Sequence, residues 1–442
     1  MSVRDEARGA RSAETEAYIK DTSRLRVPRN EAIRPHRQLF SASYGGNSLK
    51  PHVLVYTSLF PSPIQPVHGM FVESLCRSMS AFCAVSVLNP IYALYHLKNI
   101  RQLFNMQPEQ RNGYTYNSFP CWLFPKFGKR YDPLLMYMQS IRSLKNIEQG
   151  ESIDLIHAHY AYPDAVAAWF LSKKFKIPLV VTLHGSDIKV LAKYPDRKRH
   201  IREVLRNADA VVAVSENLLQ DALSVEPLMR EVRHIPNGVN LSHFNLEETT
   251  NPVYEKNDPD AKIILAVGRL EPVKGFEQLI RAMDGLPSHY RLFIIGTGSR
   301  RDQLSKLISD LRLDNRVSLL GAVAHEKLKP FYQQADCLAI SSYSEGWPTT
   351  VFESFACGLP VVAPRVGGIP EIINSENLGI LIDNNSLECL ADGILKATKR
   401  VWNKPFLFQT AASYSWDNIA GDYKELFIKT IKGITDKANA TR

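Results

Sequence analysis

Short apolar runs alternate with helix-length amphipathic segments along most of the chain. Each run spans about four to eight residues and is followed by turn or helix-capping residues, a pattern typical of buried strands. In the first half of the chain the runs are HVLVYTSLF, DLIHAHY, PLVVTLHG and AVVAVS. After residue 260 they are KIILAVGRL, RLFIIGTGS, RVSLLGAV, CLAISSYSEG, PVVAPRVGG and LGILID. Strands that alternate with helices predict an α/β fold of parallel sheets with helices on both faces.

Polar segments divide the chain into domains. Residues 1–48 are rich in charge and poor in large apolar side chains, so we expect a disordered or loosely helical extension that does not fold on its own. Residues 243–262 are acidic and lack an apolar face, which predicts a linker between an N-terminal domain at 49–242 and a C-terminal domain at 263–412. The amphipathic stretch at 413–442 predicts a final helix, which we expect to return to the N-terminal domain.

Length, composition and charge narrow the class of protein. At 442 residues, 45% of them hydrophobic, the chain is long enough to bury more than one core. It has neither an apolar run long enough for a membrane helix nor the apolar segment of a secretory signal, so we expect it in the cytoplasm. The six cysteines have no Cys-x-x-Cys spacing and are expected to be reduced. The formal charge of +9 favours anionic partners but does not separate nucleic acid, anionic lipid and phosphorylated substrates.

Unusual polar residues follow the predicted strands, at the edge where ligands bind in open parallel sheets. The segment GRLEPVKG places Arg269 and Lys274 in a loop between a strand and a helix. Two cations beside a helix N-terminus can bind a diphosphate without a metal ion. The same residues fit an ordinary solvated loop, so this loop alone leaves both interpretations open.

Two glutamates flank the predicted start of a helix in the segment SEGWPTTVFES. Glu353 follows Thr350 at the spacing of a capping box, in which the glutamate bonds back to the cap amide. Glu345 precedes the helix, beside Gly346, where neither capping nor core packing requires a carboxylate. Two carboxylates beside one helix N-terminus suit a ligand with many hydroxyl groups, such as a sugar and a ribose. The first amides of that helix can bind phosphates that lie between the two.

Several spaced motifs together resemble one enzyme family. Glu345 and Glu353 match the E-x7-E motif of the retaining glycosyltransferases of family 4, which have the GT-B fold of two Rossmann-like domains facing across a cleft. GRLEPVKG is similar to the phosphate-binding loop of this family, and GLPVVAPRVGGIPEII to the strand and turn that follow the motif. The resemblance extends over nearly all of residues 51–430. The family includes bacterial polysaccharide and lipopolysaccharide glycosyltransferases.

The resemblance implies a hexosyltransferase that acts in cell-surface polysaccharide synthesis. It would move a sugar from a UDP- or GDP-linked donor to a glycan or lipid-linked acceptor, with retention of the anomeric configuration. It implies no further cofactor, no metal ion and no nucleic-acid partner. The Asp-x-Asp of the sequence, Asp258 and Asp260, lies around Pro259 in the predicted linker. That is a poor setting for the metal-binding motif of the other glycosyltransferase fold.

The resemblance also implies roles for individual side chains. Arg269 and Lys274 would bind the donor diphosphate and stabilise the negative charge that grows on it during transfer. Glu353 would bind the ribose hydroxyls, and Glu345 the hydroxyls of the donated sugar. His184, in the HGSD that follows a predicted strand, would lie beside the sugar at the reaction centre. It would join Glu345 and the two cations in the catalytic set.

The remaining implied contacts come from glycines and from the helix start. Gly69 would let the loop after the first strand approach the phosphates closely. Many family members have glycine and a bulky aliphatic residue inside the E-x7-E run, where this chain has Pro348 and Thr349. Because proline has no backbone N–H, the contacts to the donor would come from Gly346 and from the amides of Trp347, Thr349 and Thr350.

Two further features leave alternatives open. The HAHY segment places His157 and His159 on one face of a strand, where a structural role and a ligand role are both compatible with the spacing. Residues 92–145 are basic and aromatic, which suits peripheral contact with the inner surface of an anionic membrane that carries a lipid-linked acceptor. The same residues also suit a helix pair whose aromatic side chains pack inward.

Other functions fit parts of the sequence. A sugar-nucleotide epimerase of similar fold would convert the donor without an acceptor, and a non-catalytic subunit would bind the donor without turnover. A nicotinamide dehydrogenase is disfavoured, because GTGS lacks the third glycine and TSLFPSP, not a glycine-rich turn, follows the first strand.

Overall fold

Two parallel sheets form the described part of the chain. The computed structural model describes residues 50–124, 128–148, 150, 152–249, 253–254 and 260–440. The predicted extension at 1–48 lies outside the described residues, as do Asp258 and Pro259 of the predicted linker.

The first sheet has eight strands. They are β1 (His52–Tyr56), β2 (Ala84–Tyr92), β3 (Glu109–Arg111), β4 (Tyr114–Cys121), β5 (Leu155–His159), β6 (Leu179–Leu183), β7 (Ala210–Ala213) and β8 (Val232–His234). Their order is β3-β4-β2-β1-β5-β6-β7-β8, and all neighbours are parallel except β3, which runs antiparallel to β4. Strands β1, β5, β6 and β7 were predicted from their apolar runs, and each of them is buried along its whole length.

The second sheet has six parallel strands, all of which were predicted. They are β9 (Lys262–Val267), β10 (Tyr290–Ile295), β11 (Val317–Gly321), β12 (Cys337–Ala339), β13 (Val361–Pro364) and β14 (Gly379–Ile382). Their order is β11-β10-β9-β12-β13-β14. The prediction of parallel α/β sheets is therefore confirmed for both halves of the chain.

Helices connect the strands of both sheets. Those of the first half are α1 (Met70–Met79), α2 (Ile100–Phe104), α3 (Asp132–Glu148), α4 (Val166–Phe175), α5 (Ser186–Lys189), α6 (Pro195–Asn207) and α7 (Glu216–Val225). Those of the second half are α8 (Phe276–Ala282), α9 (Arg301–Asp310), α10 (Lys329–Gln334), α11 (Thr349–Ala356), α12 (Ile369–Ile372), α13 (Leu387–Lys399), α14 (Lys404–Ser413) and α15 (Trp416–Ala440). No helix among the described residues is long and apolar enough to cross a membrane.

The last helix, α15, packs on the first sheet although it follows the second sheet in sequence. Its apolar face, which includes Tyr423 and Phe427, lies in one buried cluster with Val53, Leu155 and Val180 of the first sheet. The Tyr423 hydroxyl also lies 3.0 Å from Thr182 Oγ1 in β6. The chain therefore crosses back to its first half after its last strand.

The carboxyl ends of the two sheets approach each other closely. Gly346, which follows β12, lies against the backbone of the loop after β6, and a Cβ atom there would come within 2.5 Å of the His184 carbonyl oxygen. The carboxylate of Glu371 accepts hydrogen bonds from the amides of Glu216 and Asn217, both at 2.8 Å, at the start of α7. These contacts place the loops that carry most of the predicted site residues on the two sides of one cleft.

Candidate active site

The loop between β9 and α8 contains the predicted phosphate-binding cations and is held by its neighbours. Glu271 in this loop accepts hydrogen bonds from the Ser299 amide at 3.1 Å and the Ser299 hydroxyl at 2.7 Å. Gly296 passes so close that a Cβ atom would lie 1.9 Å from the Gly268 carbonyl oxygen. The GRLEPVKG and GTGS segments therefore form one fixed surface at the carboxyl edge of the second sheet.

Lys274 and Glu345 form an ion pair in the cleft. The Lys274 ammonium lies 2.6 Å from Glu345 Oε1, and the Ser342 hydroxyl donates to the same oxygen at 2.5 Å. The Glu345 side chain is only 10% exposed, whereas that of Lys274 is 24% exposed. Gly275 permits this approach, because a side chain there would collide with the Ser341 carbonyl oxygen. The cation predicted to bind phosphate and the carboxylate predicted to bind the sugar are thus in direct contact.

Arg269 takes a different position from Lys274. Its side chain is exposed, and its positive charge acts on two groups of the first half of the chain. Burial lowers the pKa of His68, and the charge of Arg269 lowers it further. Burial raises the pKa of the Tyr160 hydroxyl to about 12. The Asp187 carboxylate also raises this pKa, whereas the charge of Arg269 lowers it. Arg269 therefore acts electrostatically on His68 and Tyr160 of the first half of the chain.

Glu353 is buried, and its carboxylate is bound by two side chains of the C-terminal half. Its Oε1 lies 2.9 Å from His325 Nε2, and its Oε2 accepts a hydrogen bond of 2.7 Å from the Tyr332 hydroxyl. Burial alone would lower the pKa of His325, but the hydrogen bond and the charge of Glu353 outweigh burial and raise it. Each carboxylate oxygen retains a lone pair for a further donor.

The predicted capping box of Thr350 and Glu353 is wrong. Helix α11 begins at Thr349 after Pro348, and Pro348 at the N-cap makes no side-chain hydrogen bond. The proline favours an earlier helix start, since its fixed φ suits the entry to a helix. Glu353 then lies more than one turn inside α11 and points to His325 and Tyr332 instead of the helix start.

The helix start combines a sterically restricted glycine with a tryptophan that packs in the domain interface. Gly346 has no room for a side chain beside His184. The Trp347 indole donates to the Asn237 carbonyl oxygen at 3.1 Å, and its ring stacks on Phe352. Trp347 therefore uses its side chain to join the two halves of the chain. Thr349 and Thr350 begin α11, so their amides belong to the free first turn of the helix.

His184 lies at the cleft end of β6 and is paired with another imidazole. His184 Nε2 is 3.0 Å from His159 Nδ1, and the two rings stack with centroids 5.3 Å apart. Burial lowers the pKa of His184 to about 3, so the ring is neutral at physiological pH. Phe71 of α1 covers the ring, with centroids 4.9 Å apart. The ring is therefore neutral and oriented by His159, while its Nδ1 is buried without a hydrogen-bond partner among the described residues.

Gly69 lies at the start of α1 in a left-handed conformation, with φ of 70°. A Cβ atom there would lie 2.3 Å from the Leu59 carbonyl oxygen. Glycine is therefore required for the path of the chain itself. The close approach of this loop to phosphate stays a prediction.

Asp187 is a site residue that the sequence interpretation missed. Its carboxylate accepts hydrogen bonds from the Gly185 amide at 2.8 Å and the Ala161 amide at 3.1 Å, and thereby joins the loops after β5 and β6. An acidic residue just after a strand-end His-Gly, in the first turn of a helix, is the signal that would have indicated this role.

Tyr160 was also missed. It has φ of 78°, a conformation rare for a residue with a side chain, and its hydroxyl lies 2.6 Å from Ser186 Oγ. No pattern in the sequence indicates the backbone conformation of Tyr160.

Two Rossmann-like domains with a cation, carboxylates and a neutral imidazole at their facing strand ends define a GT-B glycosyltransferase. Family models named "Glycosyltransferase Family 4" and "Glycosyl transferases group 1" match residues 69–243 and 248–401. The chain belongs to this glycosyltransferase family and is an enzyme of the transferase class, as predicted.

Related proteins support this assignment. A putative teichuronic acid biosynthesis glycosyltransferase, TuaC, of Bacillus subtilis is 28% identical over 368 residues, which cover 79% of this chain and 90% of that protein. An uncharacterized glycosyltransferase, MJ1178, of Methanocaldococcus jannaschii is 30% identical over 268 residues, which cover 61% of this chain and 72% of that protein. The relatives thus include a protein connected with polysaccharide synthesis.

Solved structures share the fold. A sucrose-phosphate synthase from Thermosynechococcus elongatus superposes with a TM-score of 0.72 at 22% identity, over 87% of this chain and 100% of that one. HepE of Anabaena, solved in complex with UDP and glucose, superposes with a TM-score of 0.58 at 19% identity, over 88% and 100% of the two chains. The predicted GT-B fold is confirmed.

Proposed function

We propose that this enzyme transfers a sugar from a UDP- or GDP-linked donor to a glycan or lipid-linked acceptor in cell-surface polysaccharide synthesis, with retention of the anomeric configuration. The observation that carries the proposal is the Lys274–Glu345 pair, 2.6 Å apart, at the edge of the second sheet that faces His184. A nucleotide sugar has a diphosphate that matches an ammonium and adjacent hydroxyls that match a carboxylate. One ligand of this kind satisfies both members of the pair.

The donor diphosphate would lie between Lys274, Arg269 and the first amides of α11. These groups place positive charge where negative charge develops as the bond between the anomeric carbon and the diphosphate breaks. The acceptor oxygen would bond to that carbon on the same face, and its proton would pass to the departing phosphate oxygen. Attack on the face of departure retains the configuration and needs no carboxylate beneath the sugar.

Glu345 and Glu353 would bind different hydroxyls of the donor. Glu345 lies at the cleft, beside the loop of His184, which suits the hydroxyls of the donated sugar. Glu353 lies deeper, held by His325 and Tyr332, which suits the ribose at the other end of the diphosphate. HepE of Anabaena, which shares this fold, was solved with UDP and glucose and also with UDP-glucose, which supports a donor of this class.

The acceptor would enter from the first domain, and we propose that this domain also contacts an anionic membrane surface. Exposed aromatic side chains follow the cleft ends of β2 and β4, among them Tyr95, Trp122 and Phe124. Nearby, the Arg130 guanidinium stacks on the exposed ring of Tyr131. Aromatic rings and cations together suit the interface of a membrane with anionic lipids, where a lipid-linked acceptor presents its phosphate. The enzyme would then act at the cytoplasmic face of the membrane.

A panel of nucleotides tests the proposed donor class. A ligand that binds only the folded protein raises its melting temperature. UDP or GDP, and the matching sugar nucleotides, are expected to raise the melting temperature, whereas the adenosine and cytidine diphosphates raise it less. If no nucleoside diphosphate or sugar nucleotide stabilises the protein, the proposed donor class is wrong.

A further inference from the structure

Two buried histidines lie behind His184 on neighbouring strands. His157 and His159 are two residues apart on β5 and have 0% and 1% exposure. Their ring centroids are 4.2 Å apart. The register pairs His159 with Thr182 of β6, and His184 follows two residues later. This register brings the His159 ring beside that of His184.

The two buried histidines have different partners. His157 Nε2 lies 2.8 Å from Thr182 Oγ1, which in turn lies 3.0 Å from the Tyr423 hydroxyl of α15. His159 Nδ1 instead lies 3.0 Å from His184 Nε2. His157 is therefore part of the contact between the sheet and its C-terminal helix, and His159 contacts the proposed reaction centre.

The backbone of the His184 loop does not depend on the imidazole pair. Asp187 already binds the amides of Ala161 and Gly185, and the Tyr160 hydroxyl bonds to Ser186 Oγ. Burial of an imidazole costs free energy, because the ring gives up its hydrogen bonds to water. An apolar side chain of similar size has no such bonds to give up. The stability of the loop therefore does not explain why a polar side chain, with its desolvation cost, is buried at position 159.

The pairing engages one nitrogen of His184. His159 Nδ1 lies at hydrogen-bond distance from Nε2, whereas Nδ1 of His184 is buried and has no hydrogen-bond partner among the described residues. In the hydrogen bond between the two neutral rings, one ring donates its N–H to the other. If His159 donates, His184 carries its own proton on Nδ1, and if His184 donates, its proton is on Nε2. The tautomers of His159 and His184 are therefore linked through this hydrogen bond.

We propose that His159 is a positioning residue that fixes the ring orientation and the tautomer of His184. This proposal rests on the proposed function, in which His184 lies beside the donated sugar. His159 itself touches no substrate and acts only through His184. Its removal leaves Lys274 and Glu345 in place, so the hold on the donor is preserved while the reaction centre is disturbed.

The test compares His159→Leu, His159→Asn and the control His157→Leu. The control alters a buried histidine of the same strand whose hydrogen bond goes to Thr182 instead of His184. His159→Leu is expected to lower kcat by up to about 100-fold with little change in the donor KM, because a small misplacement at a reaction centre has this effect. His159→Asn, whose amide lies near the position of Nδ1, is expected to restore most of the rate. His157→Leu is expected to lower the melting temperature more than kcat.

Two further measurements separate positioning from a merely structural role. In a His184→Ala background, His159→Leu is expected to have no further effect on kcat, since residues that act through one another are not additive. Nitrogen-15 spectra of the histidine rings are expected to show one tautomer of His184 in the wild type and a mixture in His159→Leu. An equal loss of kcat in the His184→Ala background, or an unchanged ring spectrum, would overturn the proposal. If His184→Ala itself has the wild-type rate, the proposed role of His184 fails, and the ring spectra still decide the link between the two histidines.

Discussion

Lys274 and Glu345 are 71 residues apart in sequence, and their side chains meet at 2.6 Å in the cleft. In this arrangement each neutralises the charge of the other before a donor binds. A nucleotide sugar would replace this single contact with two, phosphate on the ammonium and hydroxyls on the carboxylate. The pair would therefore give the site a preference for a ligand that carries both groups.

Loss of the Lys274 ammonium is expected to slow transfer strongly. Lys274→Ala removes the positive charge that we propose stabilises the leaving diphosphate, and loss of one such group typically lowers kcat by about 100- to 1000-fold. Arg269→Ala is expected to have an effect in the same direction. Lys396→Ala is the matched control, because Lys396 is an exposed lysine on α13. Initial rates of sugar transfer measure the effect, and folded variants with the wild-type rate would remove these side chains from the mechanism.

The contact between His325 and Glu353 predicts a pH-dependent contribution to stability. The pKa of His325 is raised in the folded protein, so the contact stabilises the fold fully below the ordinary histidine pKa and less as pH rises through the folded value. His325→Gln is therefore expected to lower the melting temperature most near about pH 5.5 and much less above about pH 8. Tyr332→Phe serves as the control. It removes the other hydrogen-bond partner of Glu353, and this partner does not titrate between about pH 5.5 and about pH 8. A loss from His325→Gln that does not change with pH would contradict the charged contact.

Much of the fold could be predicted because strand burial leaves a direct pattern. Continuous apolar runs indicated β1, β5, β6, β7 and the whole second sheet. Strands β2 and β4 were missed because their sequences are interrupted. Asn-Pro interrupts AVSVLNPIY in β2, and polar residues and a proline interrupt YTYNSFPC in β4. Such residues usually argue against a central strand.

The site was predicted only as far as motifs and strand ends allow. Motif spacing placed Lys274 and Glu345 at one edge, but their ion pair depends on the close approach of Gly275 to Ser341. The capping role predicted for Glu353 was wrong because the helix begins at Thr349, after Pro348, and its predicted contact to the ribose stays a prediction. The His159–His184 pair depends on the register of β5 on β6, which no local pattern contains.

Transfer is expected to be independent of divalent metal ions. In the proposed site, Lys274, Arg269 and the first amides of α11 would supply the positive charge that a metal ion would otherwise provide at the diphosphate. Dialysis against EDTA should leave the transfer rate unchanged, and added manganese or magnesium should not raise it. An absolute requirement for either ion would count against this site.

The first domain is expected to bind anionic vesicles. Co-sedimentation with phosphatidylglycerol vesicles should exceed that with phosphatidylcholine vesicles and should fall as salt is added. Arg130→Ala should weaken binding by about fivefold, since a basic residue near an anionic surface contributes about 1 kcal/mol. Trp122→Ser combined with Phe124→Ser should weaken it as well, whereas Phe406→Ser, an exposed aromatic residue on α14, is the control. Equal binding to both kinds of vesicle would contradict an electrostatic contact.

The division of roles between Lys274 and Glu345 is the central claim, and the Glu345→Ala variant tests it most directly. The measurement is calorimetric binding of the preferred nucleoside diphosphate and of its sugar nucleotide to the wild type and to this variant. Glu345→Ala frees the Lys274 ammonium and the Ser342 hydroxyl, and it removes the proposed contact to the sugar. The nucleoside diphosphate should therefore bind as tightly as before or more tightly, while the sugar nucleotide loses affinity and the melting temperature changes little. If both ligands weaken equally, or if Glu345→Ala unfolds the protein, Glu345 does not act on the donated sugar.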